Sequence, residues 1–236
     1  MGAMVTAGRV RAARRPEVRL PALEPHTDGE LEPDGDYDGV EFREADLAGQ
    51  DGGGARFLDC ALTSCALDGT RLTRARFLDS VLTAPRGVGT ELAEATLRDV
   101  EVRDARLGGV QLHGSVLERV LISGGKIDYL NLRGARVRDV VFENCVLVEP
   151  DFGGAVLERV AFPGSVLKGA ELTGATLKDV DLREAASLEI THGVDRLAGA
   201  VIGTGQLLDL APVLAAALGI RVEDQALPRD SGGPAG

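Results

Sequence analysis

Every fifth residue of this chain is apolar over one long span, and that beat limits the fold more than any other feature. From residue 42 to residue 182 the step of five visits 29 positions, and 27 of them are Leu, Phe, Ile or Val; Gly52 and Gly87 are the exceptions. Neither the period of an amphipathic helix nor the alternation of a half-buried strand produces such a beat. The chain must therefore turn a corner in every repeat, with one large residue of each five pointing inward. Gly, Asp and Asn stand two places after many of the inward residues, as at Gly49, Asp59, Gly69, Asp79, Asp99, Gly114, Asn144 and Gly169. These are residue types that tight turns favour.

A second inward site lies two places before each large residue. From Val40 to Ala185 it never carries a charge, and it is mostly Ala, Val, Cys, Ser or Thr. At that site positions 55, 75, 95, 115, 135, 155 and 175 read Ala, Ala, Ala, Ser, Ala, Ala, Ala, and positions 100, 120, 140, 160 and 180 are all Val. Recurrence at twenty as well as five means that equivalent environments stack every four pentapeptides. Each coil has four sides, and 29 positions divided by four give about seven coils.

Runs such as Ala45-Asp46-Leu47, Ala66-Leu67-Asp68-Gly69 and the stretch from Gly169 to Asp179 resemble the A(D/N)LXX pattern of the pentapeptide-repeat family. The resemblance covers roughly residues 36–186 and implies an all-β solenoid, a right-handed quadrilateral β-helix. It also implies that function resides on the outer surface. The acidic balance and the C-terminal segment are similar to those of the quinolone-resistance and self-resistance branch of that family. That likeness implies a DNA mimic that binds DNA gyrase or another type II topoisomerase, dimerises through its C-terminal segment and acts in antibiotic resistance. The alternative, a scaffolding module with an unrelated protein partner, stays open.

Residues 1–35 lack the beat. Arg9, Arg11, Arg14, Arg15 and Arg19 form a basic arm, followed by an acidic run over residues 24–38 without Lys or Arg; the expectation is a flexible leader. Breaks at 48–54 and 84–90 carry Gly49, Gly52, Gly53, Gly54, Pro85, Gly87 and Gly89. The beat resumes in phase after both, so each substitutes for one repeat, and each is expected to bulge as a small loop. Since related proteins use projecting loops, the resemblance makes Arg86 a candidate loop residue. Residues 187–222 are expected to form a helical cap opened by Thr204 and divided by Pro212, with Leu207, Leu210, Leu214 and Leu218 as candidate dimer contacts. Residues 223–236 read as a disordered tail.

The formal net charge of −11 separates into faces. One face carries opposite charges stacked at intervals of twenty, from Arg98 and Asp99 through Glu118, Arg119, Arg138, Asp139, Glu158 and Arg159 to Lys178 and Asp179. It reads as a structural ladder. The neighbouring face holds Glu41, Glu44, Glu101, Asp104, Glu143, Asp181 and Glu184 against Arg43, Arg103 and Arg183, a surplus of four acids (seven minus three). It is the candidate acidic interaction face. Arg133, Arg136 and Arg138 make a small basic spot, and with Trp absent a base-stacking surface is not expected.

No catalytic, cofactor or metal motif is legible. His26, His113 and His192 lie in unrelated contexts, and Cys60, Cys65 and Cys145 fall at the small inward site, where they read as buried hydrophobes. The sequence thus points to a protein that is not an enzyme and takes no cofactor. No apolar run reaches transmembrane length and no secretory signal is visible, so the expected location is cytoplasmic, with no membrane or direct nucleic-acid contact.

Overall fold

The protein is a β-solenoid of parallel strands closed at one end by a single helix; the structure is a computed structural model that describes residues 10–27 and 30–223. Neighbouring strands pair twenty residues apart, as in Val116↔Arg136 and Val137↔Leu157. The coil therefore has the twenty-residue length read from the sequence. Two of its four sides belong to the larger sheet, where strands such as Arg76–Thr83, Thr96–Arg103 and Arg136–Glu143 run round a corner. A third side is the six-stranded sheet from Arg86–Val88 to Ser187–His192, and the fourth is tied by single bridges from Asp51↔Arg71 to Asp151↔Glu171.

The corners explain the turn residues. Every fifth residue from Gly39 to Asp179 has a left-handed backbone, whatever its side chain. Glycine takes this conformation freely, whereas other residues strain by roughly 1–2 kcal/mol. Ala84 stands at one such corner with φ +49° and gains no side-chain hydrogen bond there. We expect Ala84→Gly to raise the unfolding free energy by about 0.5–1 kcal/mol, because relief of strain outweighs the extra backbone entropy that glycine loses. A urea midpoint that rises with an unchanged slope is the measurement; a lower midpoint would contradict it.

Inside, large residues fill the coil and small ones line the corners. Phe57 stacks on Phe77 at 4.5 Å, and Phe142 on Phe162 at 5.1 Å, one coil apart in each case. At the small site the buried hydroxyls are satisfied by a repeated contact. Thr70, Thr90, Ser115 and Ser165 each donate to the carbonyl 23 residues earlier, at 2.8, 2.8, 2.9 and 2.9 Å. Cys145 places its thiol in the same slot, 3.3 Å from the Ile122 carbonyl, and burial pushes that thiol up to about 11. All three cysteines are buried and free.

Several expectations need correction. The larger sheet stacks ten strands in unbroken order from Glu24–Pro25 to Ala200–Val201, which makes nine coil-to-coil steps (ten minus one), not seven coils. The additional coils are irregular. Ser187–His192 pairs with Val166–Glu171 through register shifts, so its inward residues leave the beat of five. His192 accordingly sits in a strand, 3.0 Å from Glu171.

The breaks do not bulge. Asp51 bridges Arg71 in register, and Arg86–Val88 pairs with Arg106–Gly108. Arg86 is thus a strand residue whose guanidinium donates to the Ser64 carbonyl at 2.7 Å, not the tip of a loop. The space left by Gly52 is occupied by Leu31: a Cβ at Gly52 would stand 3.1 Å from Leu72 and 3.3 Å from Leu31.

The leader is not free where it is described. Glu24–Pro25 adds a strand beside Val40–Arg43, and His26 packs against Phe42 with ring centres 4.3 Å apart. Residues 1–9 of the leader and 224–236 of the expected tail lie outside the described residues.

One continuous helix, α1 (Thr204–Ala217), covers the last coil. Pro212 lies inside it without dividing it, at the loss of one backbone hydrogen bond. Gly203, not Thr204, is the N-cap, and the Gln206 side chain accepts from the Gly203 N–H at 2.8 Å. The same side chain donates to the Leu182 carbonyl at 2.6 Å and so ties cap to coil. Gly219 ends the helix with φ +72°, its N–H bonding Ala216 while the Ile220 N–H bonds Ala215, the paired closure of a Schellman motif.

Candidate interaction surface

The acids singled out in the sequence stand along one flank of the larger sheet, but most are balanced where they stand. Within single strands Glu41 pairs with Arg43 at 2.5 Å and Glu101 with Arg103, and Asp181 at the end of its strand pairs at 2.7 Å with Arg183 in the turn that follows. In each pair acid and base stand two residues apart, and in the first two they share the outward face of a strand. Glu44, Asp104 and Glu184 take part in no ion pair among the described residues.

The adjoining corner carries the charge ladder. Arg119 grips Asp99 with two hydrogen bonds of 2.6 Å, and Arg159 grips Asp139 at 2.7 and 2.8 Å; both reach back one coil. Arg98 and Lys178 extend it to Glu118 and Glu158 at 3.4 Å each. Such pairs stack because a twenty-residue coil sets position 139 directly beside 119 and 159.

The basic arm closes over this corner. Arg11 binds Asp179 through its backbone N–H at 3.3 Å and its side chain at 2.8 Å. Arg14 treats Asp139 in the same way, at 3.1 and 3.0 Å, and Arg15 forks onto Glu143 at 3.1 and 2.7 Å. Asp139 has no exposed side-chain surface and lies between Arg14 and Arg159. Burial alone would raise its carboxyl, but the hydrogen bonds from Arg159 and Arg14 outweigh it and hold the group well below the usual carboxylate range. Hydrogen bonds from Arg11 and Arg15 likewise lower Asp179 and Glu143.

Each of these groups is more acidic folded than unfolded, so its stabilisation is full above the ordinary carboxylate range and fades as pH falls through the lowered value. We expect the arm to stay docked near neutral pH, to begin loosening below about pH 4 and to detach only below the lowered values, while the coils persist. Hydrogen exchange at the Arg11 and Arg14 amides reads this directly; amides still protected in acid would contradict it.

On the earlier coils the same corner carries no ion pair among the described residues. Asp59, Asp79 and Asp99 occupy the same corner on successive coils, and neither Asp59 nor Asp79 is ion-paired among the described residues. Burial, then the charges of Asp99 and Asp59, push the Asp79 carboxyl up. The twenty-residue spacing of these aspartates was the available signal for it.

At the C-terminus the candidate dimer residues divide. Leu210 is only 2% exposed and serves the cap, and Leu214 packs against the core while staying partly exposed. Leu207 and Leu218 remain outside, joined by Leu208 at 70% exposed and by Ile220 and Val222. Among the described residues no group of three or more His, Cys, Asp or Glu is placed to hold a metal, and no helix is long and apolar enough to cross a membrane.

Comparison with known proteins accords with the coil geometry. Residues 55–132 match the model of a pentapeptide repeat region, and residues 151–185 match that of pentapeptide repeats in eight copies. The chain is a pentapeptide-repeat protein. No curated protein matches it. Among solved structures it is similar to a trypsin-treated form of QnrB1, a plasmid-mediated fluoroquinolone resistance protein, at 21% identity and TM-score 0.30, over 87% of this chain and 99% of that one. Full-length QnrB1 is similar at 15% identity and TM-score 0.37, over 81% and 96%. HetL, a pentapeptide-repeat protein involved in heterocyst differentiation regulation in the cyanobacterium Nostoc, is similar at 18% identity and TM-score 0.27, over 75% and 94%. At these scores the superpositions carry no argument about function.

Proposed function

We propose that this protein is a non-enzymatic binding rod that docks on a type II topoisomerase such as DNA gyrase through its acidic flank, as a mimic of DNA. The observation that supports this reading is the column of Asp59, Asp79 and Asp99, carboxylates spaced by the coil repeat, of which Asp59 and Asp79 are in no ion pair among the described residues and Asp99 is held by Arg119. A row of fixed negative charge on a stiff rod presents a basic DNA-binding groove with the electrostatics of a phosphate backbone. The coil interior is packed with side chains, so the outer surface is what remains for recognition. The test adds the protein to gyrase supercoiling, with and without a quinolone, beside the triple variant Asp59→Asn, Asp79→Asn, Asp99→Asn. The reading expects the wild-type chain to change the reaction and the variant to lose most of that effect; no change with wild type ends it.

A scaffold for another protein partner is the second reading. The paired acids at Glu41, Glu101 and Asp181 favour it, since they make that flank mottled rather than continuously negative.

Under either reading the protein is a homodimer joined by the exposed residues of α1 and the turn after it. Leu208→Glu is expected to give a monomer in sedimentation, with the coil's circular dichroism unchanged; a wild-type monomer refutes it.

A further inference from the structure

The arm differs from every other part of the fold in how it is held. Among the described residues, backbone-to-backbone hydrogen bonds begin at Glu24, whose N–H donates to the Gly39 carbonyl at 2.8 Å. Within residues 10–23 Arg11, Arg14 and Arg15 bind carboxylates of the coils and Pro16 is buried, while the three arginine side chains remain 50–60% exposed. Pairs of that kind are worth little individually and are screened by salt.

Beneath the arm is a surface with its own character. Val141 points outward from the sheet between the buried core residues Val140 and Phe142, yet it is only 4% exposed, and Ala12 and Ala13 line the same pocket. Ala161 and Pro163 continue the apolar strip, and Asp139, Glu143 and Asp179 rim it. Removal of the arm leaves an apolar strip edged by Glu143 and Asp179 without an ion pair among the described residues, and by Asp139, which keeps Arg159 but loses Arg14.

The spacing states what fits there. Asp139 and Asp179 are two coils apart, roughly 9.6 Å at the usual strand separation, and three residues of extended chain cover roughly 10 Å. Arg11 and Arg14 match that step, each carboxylate taking a backbone N–H as well as a guanidinium. Such recognition reads an extended backbone with arginines three apart and asks little of the residues between, here two alanines.

We propose that the corner formed by Asp139, Glu143 and Asp179 is a docking site for an extended, arginine-bearing segment of a protein partner, and that residues 10–16 fill it until that segment displaces them. The site is complete without any statement about topoisomerases, so it stands or falls separately from the function proposed above. Its occupant is defined by chemistry: a basic peptide with arginines at one position and at the third and fourth residues after it.

The experiment compares the wild-type chain with the variant Arg11→Ala, Arg14→Ala, Arg15→Ala, using a fluorescent synthetic peptide of residues 8–20 and reading anisotropy. The peptide is expected to bind the variant at least about tenfold tighter than wild type. Adding Glu143→Gln and Asp179→Asn to the variant should abolish binding, and a peptide of the same composition with its arginines respaced should bind at least about tenfold more weakly. Equal binding to wild type and variant, indifference to the respaced peptide, or no binding to a variant that melts like wild type would each overturn the proposal. An arm-dependent dimer of the wild-type chain would overturn it too, by assigning the site to a second copy. Should the variant not fold, hydrogen exchange on the wild-type chain decides the matter. Raising salt from about 50 to about 500 mM should deprotect the Arg11 and Arg14 amides before those of Arg136–Glu143, and amides that resist salt as well as the sheet does refute the exchange.

Discussion

Gly87→Leu, the substitution that would restore the beat of five, is expected to destabilise the protein by about 3 kcal/mol. Gly87 occupies a position at which the repeat elsewhere places a large inward residue, and a neighbour one coil away at the same position is Leu107. The backbone at Gly87 has φ +157°, and a Cβ there would meet the Leu67 carbonyl carbon at 2.6 Å and the Asp68 nitrogen at 2.8 Å. Those atoms belong to the preceding coil's backbone and cannot swing aside as a side chain can. Relief would require separation of two coils whose Leu67 N–H and Arg86 carbonyl are bonded at 2.7 Å. Denaturant unfolding measures the loss, and a variant as stable as wild type would show that the strand reshapes freely there.

Phe142→Ala should cost more, about 4 kcal/mol. Its ring is fully buried and lies nearly parallel to Phe162 at 5.1 Å and 4°. Its removal takes away apolar burial and leaves a hole between rigid coils that cannot collapse, because each coil is pinned on both sides by parallel ladders. The Phe142 carbonyl accepts the Ser165 hydroxyl at 2.9 Å, and that backbone contact survives the truncation. The effect should therefore appear in stability while strand content stays intact; a loss below about 2 kcal/mol would mean that the coils do close over the gap.

The coil could be read from the sequence because its determinants recur at fixed spacing: an inward large residue, an inward small one and a left-handed corner. The ends could not, for the same reason turned round. Ser187–His192 places Leu188 and Ile190 toward the core only two residues apart, and Ala200–Val201 adds a further step with no pentapeptide at all. Gly and Pro over 84–90 suggested a loop, yet in this fold every corner already demands turn chemistry, so such residues mark an ordinary side.

The charged surface was legible only where partners share the coil period. Arg119 with Asp99 and Arg159 with Asp139 are twenty residues apart and show in the spacing. Arg14 and Asp139 are separated by 125 residues, and Arg11 and Asp179 by 168, and no periodicity links them. In α1 apolar residues surround most of the helix, so the sequence did not separate Leu210, which faces the coils, from Leu208, which faces out.

The equal height of every coil turns the arm into a gauge. Lengthening the solenoid by one copy of its unit would shift Asp179 away from Arg11 by roughly 4.8 Å without rotating any side, and shortening it would leave slack of the same size. The distance from the arm's anchor beside Val40 to its last arginine thus selects how many layers the stack can hold, so the number of layers and the length of the arm can change only together.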